Sequence, residues 1–156
     1  MATAPPLQRI VDLFASAPRD LRVQALLEYS RKVPPLPEEY LEHRDRMEQV
    51  PECQTPFFLA TEVDDEEKVV LHFDVPAESP TTRGFAGILH SGLNGAKAED
   101  VLATPNDFYL KMGLGEAISS LRLRGMGAIL ARLKRQVKDQ LAEARARSGR
   151  PAPDPG

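Results

Sequence analysis

Cys53 is the only cysteine of this 156-residue chain and the strongest candidate for covalent chemistry. It lies in the stretch "VPECQTPFFL" (residues 50–59), between Pro51 and Pro56 and ahead of a short apolar run. Free cysteines are often small core residues, and Glu52 favours that interpretation because an adjacent negative charge raises a thiol pKa. The local sequence therefore leaves two interpretations of Cys53 open: an inert core side chain or a functional thiol.

Other kinds of catalytic or metal site find little support in the sequence. The G-x-S-x-G motif of serine hydrolases does not occur, and His43, His72 and His90 lack the spacing of metal ligands. A single thiol cannot supply a site that needs several soft ligands from one chain. We therefore expect no bound metal and no other cofactor. We expect His72 and His90 to be solvated or lightly paired surface residues instead of catalytic bases.

The composition is that of one globular domain. Hydrophobic residues make up 42% of the chain and charged residues 28%, which argues against general disorder. No apolar run is long enough to cross a bilayer, and the first residues lack the charged start and apolar core of a secretory signal. A lone thiol also suits a reducing compartment. The sequence thus predicts a cytoplasmic protein with no membrane association.

Charge is unevenly distributed along the chain, although the net charge is only −3. Residues 37–78 are mainly acidic and residues 116–150 mainly basic, and such blocks are most often solvated faces. If they have a function, they orient a protein partner by long-range attraction. The basic block lacks aromatic residues that stack on bases, so we expect no nucleic-acid binding. The glycines in "RGMGAIL" (residues 124–130) lie within a helical pattern and indicate close helix packing.

The first third of the sequence predicts three helices. Apolar spacing of three and four predicts a first helix that buries Leu7, Ile10, Val11 and Phe14. Pro18 suits the start of a second helix, whose apolar residues are Leu21, Leu26, Leu27 and, beyond it, Val33. Pro37 suits the start of a third, acidic helix over "PEEYLEHRDRM" (residues 37–47).

A change to period two then predicts an antiparallel hairpin. Its strands are "PFFLATEV" (residues 56–63) and "KVVLHFDV" (residues 68–75), joined by "DDEE". Alternate residues of the second strand share one apolar face: Val69, Leu71, Phe73 and Val75. A third strand is needed for stability, and two alternatives remain open: it comes from the Val75 region, or it does not exist.

Helical spacing returns after the hairpin. Ser79 is the expected N-cap of a helix that buries Phe85, Ile88 and Leu89 and ends at Gly92 or Gly95. Short helices follow near residues 98–103 and 105–113, and Ser119 or Ser120 caps a long last helix. The prediction is an α+β fold in which a small antiparallel sheet packs against several helices. We expect one domain over residues 7–147, flanked by a flexible N-terminus (residues 1–6) and a flexible Pro/Gly-rich tail (residues 148–156).

Several segments, taken in order, resemble the SufE family of sulfur-acceptor proteins in iron–sulfur cluster assembly. The cysteine stretch of that family reads Val-x-Gly-Cys-x-Ser-x-Val-Trp-Leu, and "VPECQTPFFL" is similar to it. Downstream, "RGFAGIL", "NGAKAEDVL", "FYLKMGL" and "SSLRLRG" are similar to further family segments. The chain retains the cysteine and Arg122. It departs from the family pattern at Glu52 (usually glycine), Thr55 (serine), Phe58 (tryptophan), Ala117 (histidine) and Ser120 (proline).

The resemblance implies a SufE- and scaffold-like fold and a role for Cys53. A SufS-type cysteine desulfurase would pass persulfide sulfur to Cys53, and the chain would stimulate the desulfurase. The sulfur would then go on to an iron–sulfur scaffold complex. The chain would act as a sulfurtransferase-type carrier and not as a conventional turnover enzyme. The apolar residues Phe57, Phe58 and Leu59 would shelter the persulfide from water and oxidants.

Arg122 is the second candidate site residue that the resemblance suggests. It would recognise the partner or assist the thiolate, and the alternative is ordinary helix pairing with an acidic residue. Two other functions remain open: an adaptor that activates a desulfurase without carrying sulfur and, less favoured with a single cysteine, a cluster scaffold. Both a monomer and a homodimer are compatible with the sequence.

Overall fold

A computed structural model describes residues 4–116 and 118–153 of the chain. The described residues form six α-helices and three strands: α1 (Pro5–Ser16), α2 (Arg19–Ser30), α3 (Glu38–Glu42), β1 (Glu48–Gln49), β2 (Phe58–Val63), β3 (Val69–Asp74), α4 (Pro80–Leu93), α5 (Ala98–Ala103) and α6 (Ser120–Arg147). Short 3₁₀ helices occupy Arg44–Arg46, Phe108–Met112 and Leu114–Glu116. The predicted α+β class, with a small antiparallel sheet and several helices, is confirmed.

The sheet has the strand order β1-β2-β3, and both strand pairs are antiparallel. In β1, Glu48 pairs with Leu59 of β2, which in turn pairs with Phe73 of β3. The sequence left the third strand either in the Val75 region or absent, and both alternatives were wrong. The third strand is β1, which lies just before Cys53 and is too short to produce a visible alternation of residue types.

The predicted third helix over residues 37–47 was wrong in its second half. Helix α3 ends at Glu42, and His43 leaves the helical region with a φ of −128°. A 3₁₀ turn over Arg44–Arg46 then leads the chain into β1. The chain must become extended here, because β1 can pair with β2 only in that conformation.

The two faces of the sheet are covered by different elements. The predicted apolar face of β3 is confirmed, with Val69, Leu71 and Phe73 buried in the main core. Helix α6 packs across β2 on this side, and a smaller apolar cluster covers the other face. Its buried members are Tyr40, Met47 and Ala60. The sheet therefore holds β1, and the loop that follows it, next to α6.

Helix α1 buries the four residues that the sequence predicted and begins at Pro5, so it includes two residues of the expected flexible N-terminus. Helix α2 differs from its prediction. Leu26 is buried, whereas Leu21 and Leu27 are 52% and 37% exposed. The reason is that α2 packs one face closely on α4, where Gly84 lies against Leu26 and Gly87 lies directly against the Tyr29 backbone.

The predicted caps of α4 and α6 are only partly confirmed. The Ser79 side chain makes no capping hydrogen bond, and α4 ends at Leu93 with Gly95 close behind it at a φ of +84°. Ser119 caps α6, because its hydroxyl accepts a hydrogen bond from the Arg122 backbone N–H at 3.3 Å. Within the described ranges, no helix has the length and apolar content needed to cross a membrane.

We predict that Gly87→Ala destabilises the protein by roughly 3 kcal/mol, because its methyl group would overlap the Tyr29 carbonyl group and force α2 and α4 apart. Urea denaturation would measure the change in the free energy of unfolding. Gly115→Ala is the matched control, since the nearest atom that its methyl group meets is Leu123 Cδ1 at 4.0 Å. The control should stay within about 0.5 kcal/mol of the native protein. Equal stability of the two variants would contradict the close packing of α2 on α4.

Candidate functional site

Cys53 lies in the loop that joins β1 to β2. The Val50 N–H donates a hydrogen bond to the Phe57 carbonyl at 2.9 Å and closes the loop on two buried residues. Pro51 and Pro56 bound the segment in between, and neither has an N–H that could continue the strand ladder. The Cys53 N–H donates to the Val50 carbonyl at 3.2 Å, which folds the loop into a tight turn.

The loop lies against α6 at a position without a side chain. A Cβ atom on Gly125 would lie 3.4 Å from the Cys53 Sγ atom and 3.7 Å from its Cα atom. The thiol also points at the Gly125 carbonyl oxygen, with an S···O distance of 3.9 Å. The glycine pattern of residues 124–130 does mark close packing, as predicted. At Gly125, however, the partner is the cysteine loop and not another helix.

A small cavity opens beside the thiol. Its volume is about 20 Å³, which is enough for one water-sized atom. Three elements line it: the loop with Cys53, Gln54 and Thr55; α4 with Thr82; and α6 with Leu121, Arg122, Gly125, Met126 and Ile129. Cys53 itself is half-buried. The thiol is therefore sheltered, and the space beside it can take a small added atom.

The shelter comes from other residues than the sequence predicted. Phe57 and Leu59 are buried in the main core, where the Phe57 ring meets the Phe73 ring edge-on. Phe58 is on the opposite face of the sheet, with the Arg44 guanidinium over its ring. Because side chains alternate along β2, these residues do not line the cavity beside Cys53. No sequence pattern indicated that α6, more than 70 residues downstream, would cover the thiol.

The thiol is protonated at neutral pH. Burial, and after it the negative charge of Glu52, raise the pKa of Cys53 to about 11. Glu52 is in turn held by α6, because its carboxylate forms two hydrogen bonds with the Arg132 guanidinium at 3.0 and 3.2 Å. Arg132 also binds Glu48 of β1 at 2.7 Å. The acidic and basic blocks of the sequence thus pair with each other beside the cysteine loop.

Arg122 lies near the beginning of α6 and lines the same cavity as Cys53. Its side chain is exposed, and among the described residues no carboxylate lies within ion-pairing distance of it. The structure therefore brings the two predicted site residues together and gives no support to the alternative of helix pairing. Ser120 is the first residue of α6, and Ala117 lies outside the described residues.

The histidines lie away from this cavity. His72 Nε2 is hydrogen-bonded to the Glu62 carboxylate at 2.7 Å, and its side chain is only 12% exposed. His90 is half-buried, and burial, followed by the nearby His72, lowers its pKa. Both residues are thus less exposed than predicted, because α4 and the residues around Pro34–Pro37 enclose them. Within residues 4–116 and 118–153, no three potential metal-ligating side chains cluster together.

The domain as a whole, and not the cysteine loop alone, is similar to known proteins. Residues 8–137 match the family model described as the SufE Fe-S metabolism associated domain. The chain belongs to the SufE family. A SufE-like protein of Mycobacterium tuberculosis strain H37Rv is 48% identical over 134 residues, which cover 86% of this chain and 92% of that protein.

Two further comparisons extend the likeness to fold and to more distant relatives. The solution structure of a hypothetical protein from Thermus thermophilus has a TM-score of 0.80 at 47% identity, covering 89% of this chain and 98% of that one. The Plasmodium falciparum protein named Cysteine desulfuration protein SufE is 28% identical, over 83% of this chain and 53% of that protein. The similarity to the SufE family is therefore present in both sequence and fold.

We predict that Cys53 in the folded protein reacts slowly with iodoacetamide at neutral pH. The thiolate is the reacting species, and a pKa shift from 9.0 to about 11 reduces its population roughly 100-fold relative to the unfolded chain. The rate should rise with pH until the pH passes the thiol pKa. Intact mass spectrometry of native and urea-unfolded protein would measure both rates. Equal rates in the two states would rule out the sheltered thiol.

Proposed function

We propose that this SufE-family protein accepts persulfide sulfur from a SufS-type cysteine desulfurase on Cys53 and passes it on for iron–sulfur cluster assembly. The observation that carries the proposal is the placement of the single cysteine beside a cavity with room for one more atom and next to Arg122. The desulfuration role named for the Plasmodium relative is consistent with this chemistry. The receiver of the sulfur would be a scaffold complex, and the reduced thiol suits the cytoplasm.

The exchange needs one thiol and one persulfide. The Cys53 thiolate attacks the terminal sulfur of the desulfurase persulfide, and a new S–S bond forms on Cys53. The S–S bond on the desulfurase breaks at the same time, and its cysteine leaves as a thiolate that takes up a proton. Since a thiol and a persulfide are both consumed and both produced, the step requires no external oxidant or reductant. The protein then acts as a carrier that stimulates the desulfurase by removing its sulfur.

Arg122 and the beginning of α6 provide positive charge where the exchange makes negative charge. Arg122 is one of the residues that line the cavity, and the first turn of α6 adds the partial positive charge of a helix N-terminus. Both favour a thiolate or persulfide anion over its protonated form. We therefore assign Arg122 the role of stabilising the Cys53 anion. Its second role would be contact with the desulfurase.

Transfer also requires the thiol to leave its shelter. A desulfurase that binds the open form of the loop better than the closed form shifts the population towards the open form. Opening must break the bidentate pair between Glu52 and Arg132, which solvent can reach, whereas the buried base of the loop at Val50 and Phe57 stays in place. Opening is thus confined to residues 51–56.

We predict that a SufS-type desulfurase with L-cysteine adds one sulfur atom to the native protein at Cys53, and none to Cys53→Ser. Intact mass spectrometry would detect the added sulfur, and peptide mapping would locate it. Desulfurase turnover, measured as alanine release, separates the carrier from the adaptor. A carrier loses its stimulation in Cys53→Ser, while an adaptor keeps it. An unchanged mass with a desulfurase that loads another SufE protein would contradict the proposal.

We predict that Arg122→Gln slows the loading of Cys53 about tenfold, because one charge-assisted interaction with the anion is lost. Arg124→Gln is the matched control: it removes the same charge from the same helix at a residue that does not line the cavity. The control should load at nearly the native rate. Equal slowing in both variants would assign the effect to the overall charge of α6 and remove the specific role of Arg122.

A further inference from the structure

The Thr55 hydroxyl is buried and has no hydrogen-bonding partner among the described residues. This is unusual, because a buried hydroxyl without a partner destabilises a folded protein. Thr55 lies two residues after Cys53 and lines the same cavity of about 20 Å³. The site thus combines a reactive atom, room for one added atom and an unused hydrogen-bond donor.

The geometry of the cavity fits the atom that sulfur transfer would add. A persulfide extends the Cys53 side chain by one sulfur, and the cavity beside Sγ is of that size. The resting thiol has another contact, since it points at the Gly125 carbonyl oxygen. A persulfide anion has no proton to give to that carbonyl and requires donors instead. Thr55 lines the cavity, and its buried hydroxyl is a donor without a partner among the described residues.

We propose that the Thr55 hydroxyl donates a hydrogen bond to the terminal sulfur of the Cys53 persulfide and so holds that sulfur as an anion inside the cavity. The inference rests on the proposed persulfide at Cys53 and assigns a positioning role to Thr55. In the resting protein the hydroxyl has no such acceptor. Burial of the Thr55 hydroxyl without a partner destabilises the unloaded protein. The added sulfur would remove this destabilisation, which favours retention of the sulfur once it is bound.

Few charged groups compete with this hydrogen bond. Arg122 is the only charged residue among those that line the cavity, and it also favours the anion. On the loop, Glu52 faces α6 and is paired with Arg132. Helix α4 contributes only the uncharged Thr82. Removal of the Thr55 hydroxyl therefore changes the donor set of the cavity without changing its charge.

Thr55→Val tests the proposal, because valine has nearly the same shape as threonine but no hydroxyl. Thr55→Ser is the matched control that keeps the hydroxyl. The persulfide would be formed chemically with sodium tetrasulfide: the Cys53 thiolate attacks one of its sulfurs, and a shorter polysulfide leaves. Because no desulfurase takes part, a failure of this test is distinct from a failure of the proposed sulfur transfer.

The measurement is the rate of persulfide alkylation by iodoacetamide as a function of pH. We expect Thr55→Val to raise the pKa of the Cys53 persulfide by about one unit, the effect of losing one hydrogen bond to an anion. It should also speed the removal of the terminal sulfur by dithiothreitol about tenfold. Thr55→Ser should match the native protein in both measurements.

Measurements on the unloaded protein distinguish this role from a merely structural one, which would change the properties of the unloaded protein as well. The resting thiol should alkylate at the same rate in all three proteins, and unloaded Thr55→Val should melt no lower than the native protein. Three results would overturn the proposal. The first is an equal persulfide pKa in Thr55→Val and the native protein. The second is a parallel change in the alkylation of the thiol and of the persulfide, and the third is a lower melting temperature of unloaded Thr55→Val.

Discussion

Cys53 lies against helix α6 at a position without a side chain. A Cβ atom on Gly125 would already be in van der Waals contact with the Cys53 Sγ and Cα atoms, at 3.4 and 3.7 Å, so a larger side chain there would require the loop to move. The same contact aims the thiol at a backbone carbonyl and encloses the small cavity between the loop and α6. The raised thiol pKa, the size of the cavity and the position of Arg122 beside it all depend on this contact.

Charge pairing holds the loop at a second point and explains the uneven charge of the sequence. Glu48 and Glu52, on either side of the turn into the loop, share Arg132 of α6. Further along α6, Arg145 pairs with Glu67 in the turn between β2 and β3. Three carboxylates of the acidic block, Glu48, Glu52 and Glu67, are thus paired with α6. This pairing aligns one edge of the sheet with the long helix.

The features that could be predicted from the sequence are those that depend on residues close together in the chain. Local patterns predicted the apolar face of β3 and narrowed the cap of α6 to Ser119 or Ser120, because each feature depends on neighbouring residues. The two-residue strand β1 was missed, since it exists only through pairing with β2. The cavity beside Cys53 was also missed, because its α6 wall is distant in sequence. Cys53 was a candidate because it is the only cysteine, Arg122 was suggested by the family resemblance, and no local pattern indicated that the two residues line one cavity.

Shelter and reactivity make opposite demands on the same thiol. With a pKa of about 11, Cys53 resists chance alkylation and oxidation, but it is also a poor nucleophile while the loop is closed. Opening residues 51–56 removes the burial that is the largest cause of the raised pKa, so exposure and activation occur in one step. The closed loop would then suit the proposed loaded state, because Arg122 lines the cavity and the Thr55 hydroxyl, which has no partner among the described residues of the resting protein, would gain the added sulfur as its acceptor. A partner that binds the open loop would thus activate the thiol, and its release would enclose the sulfur.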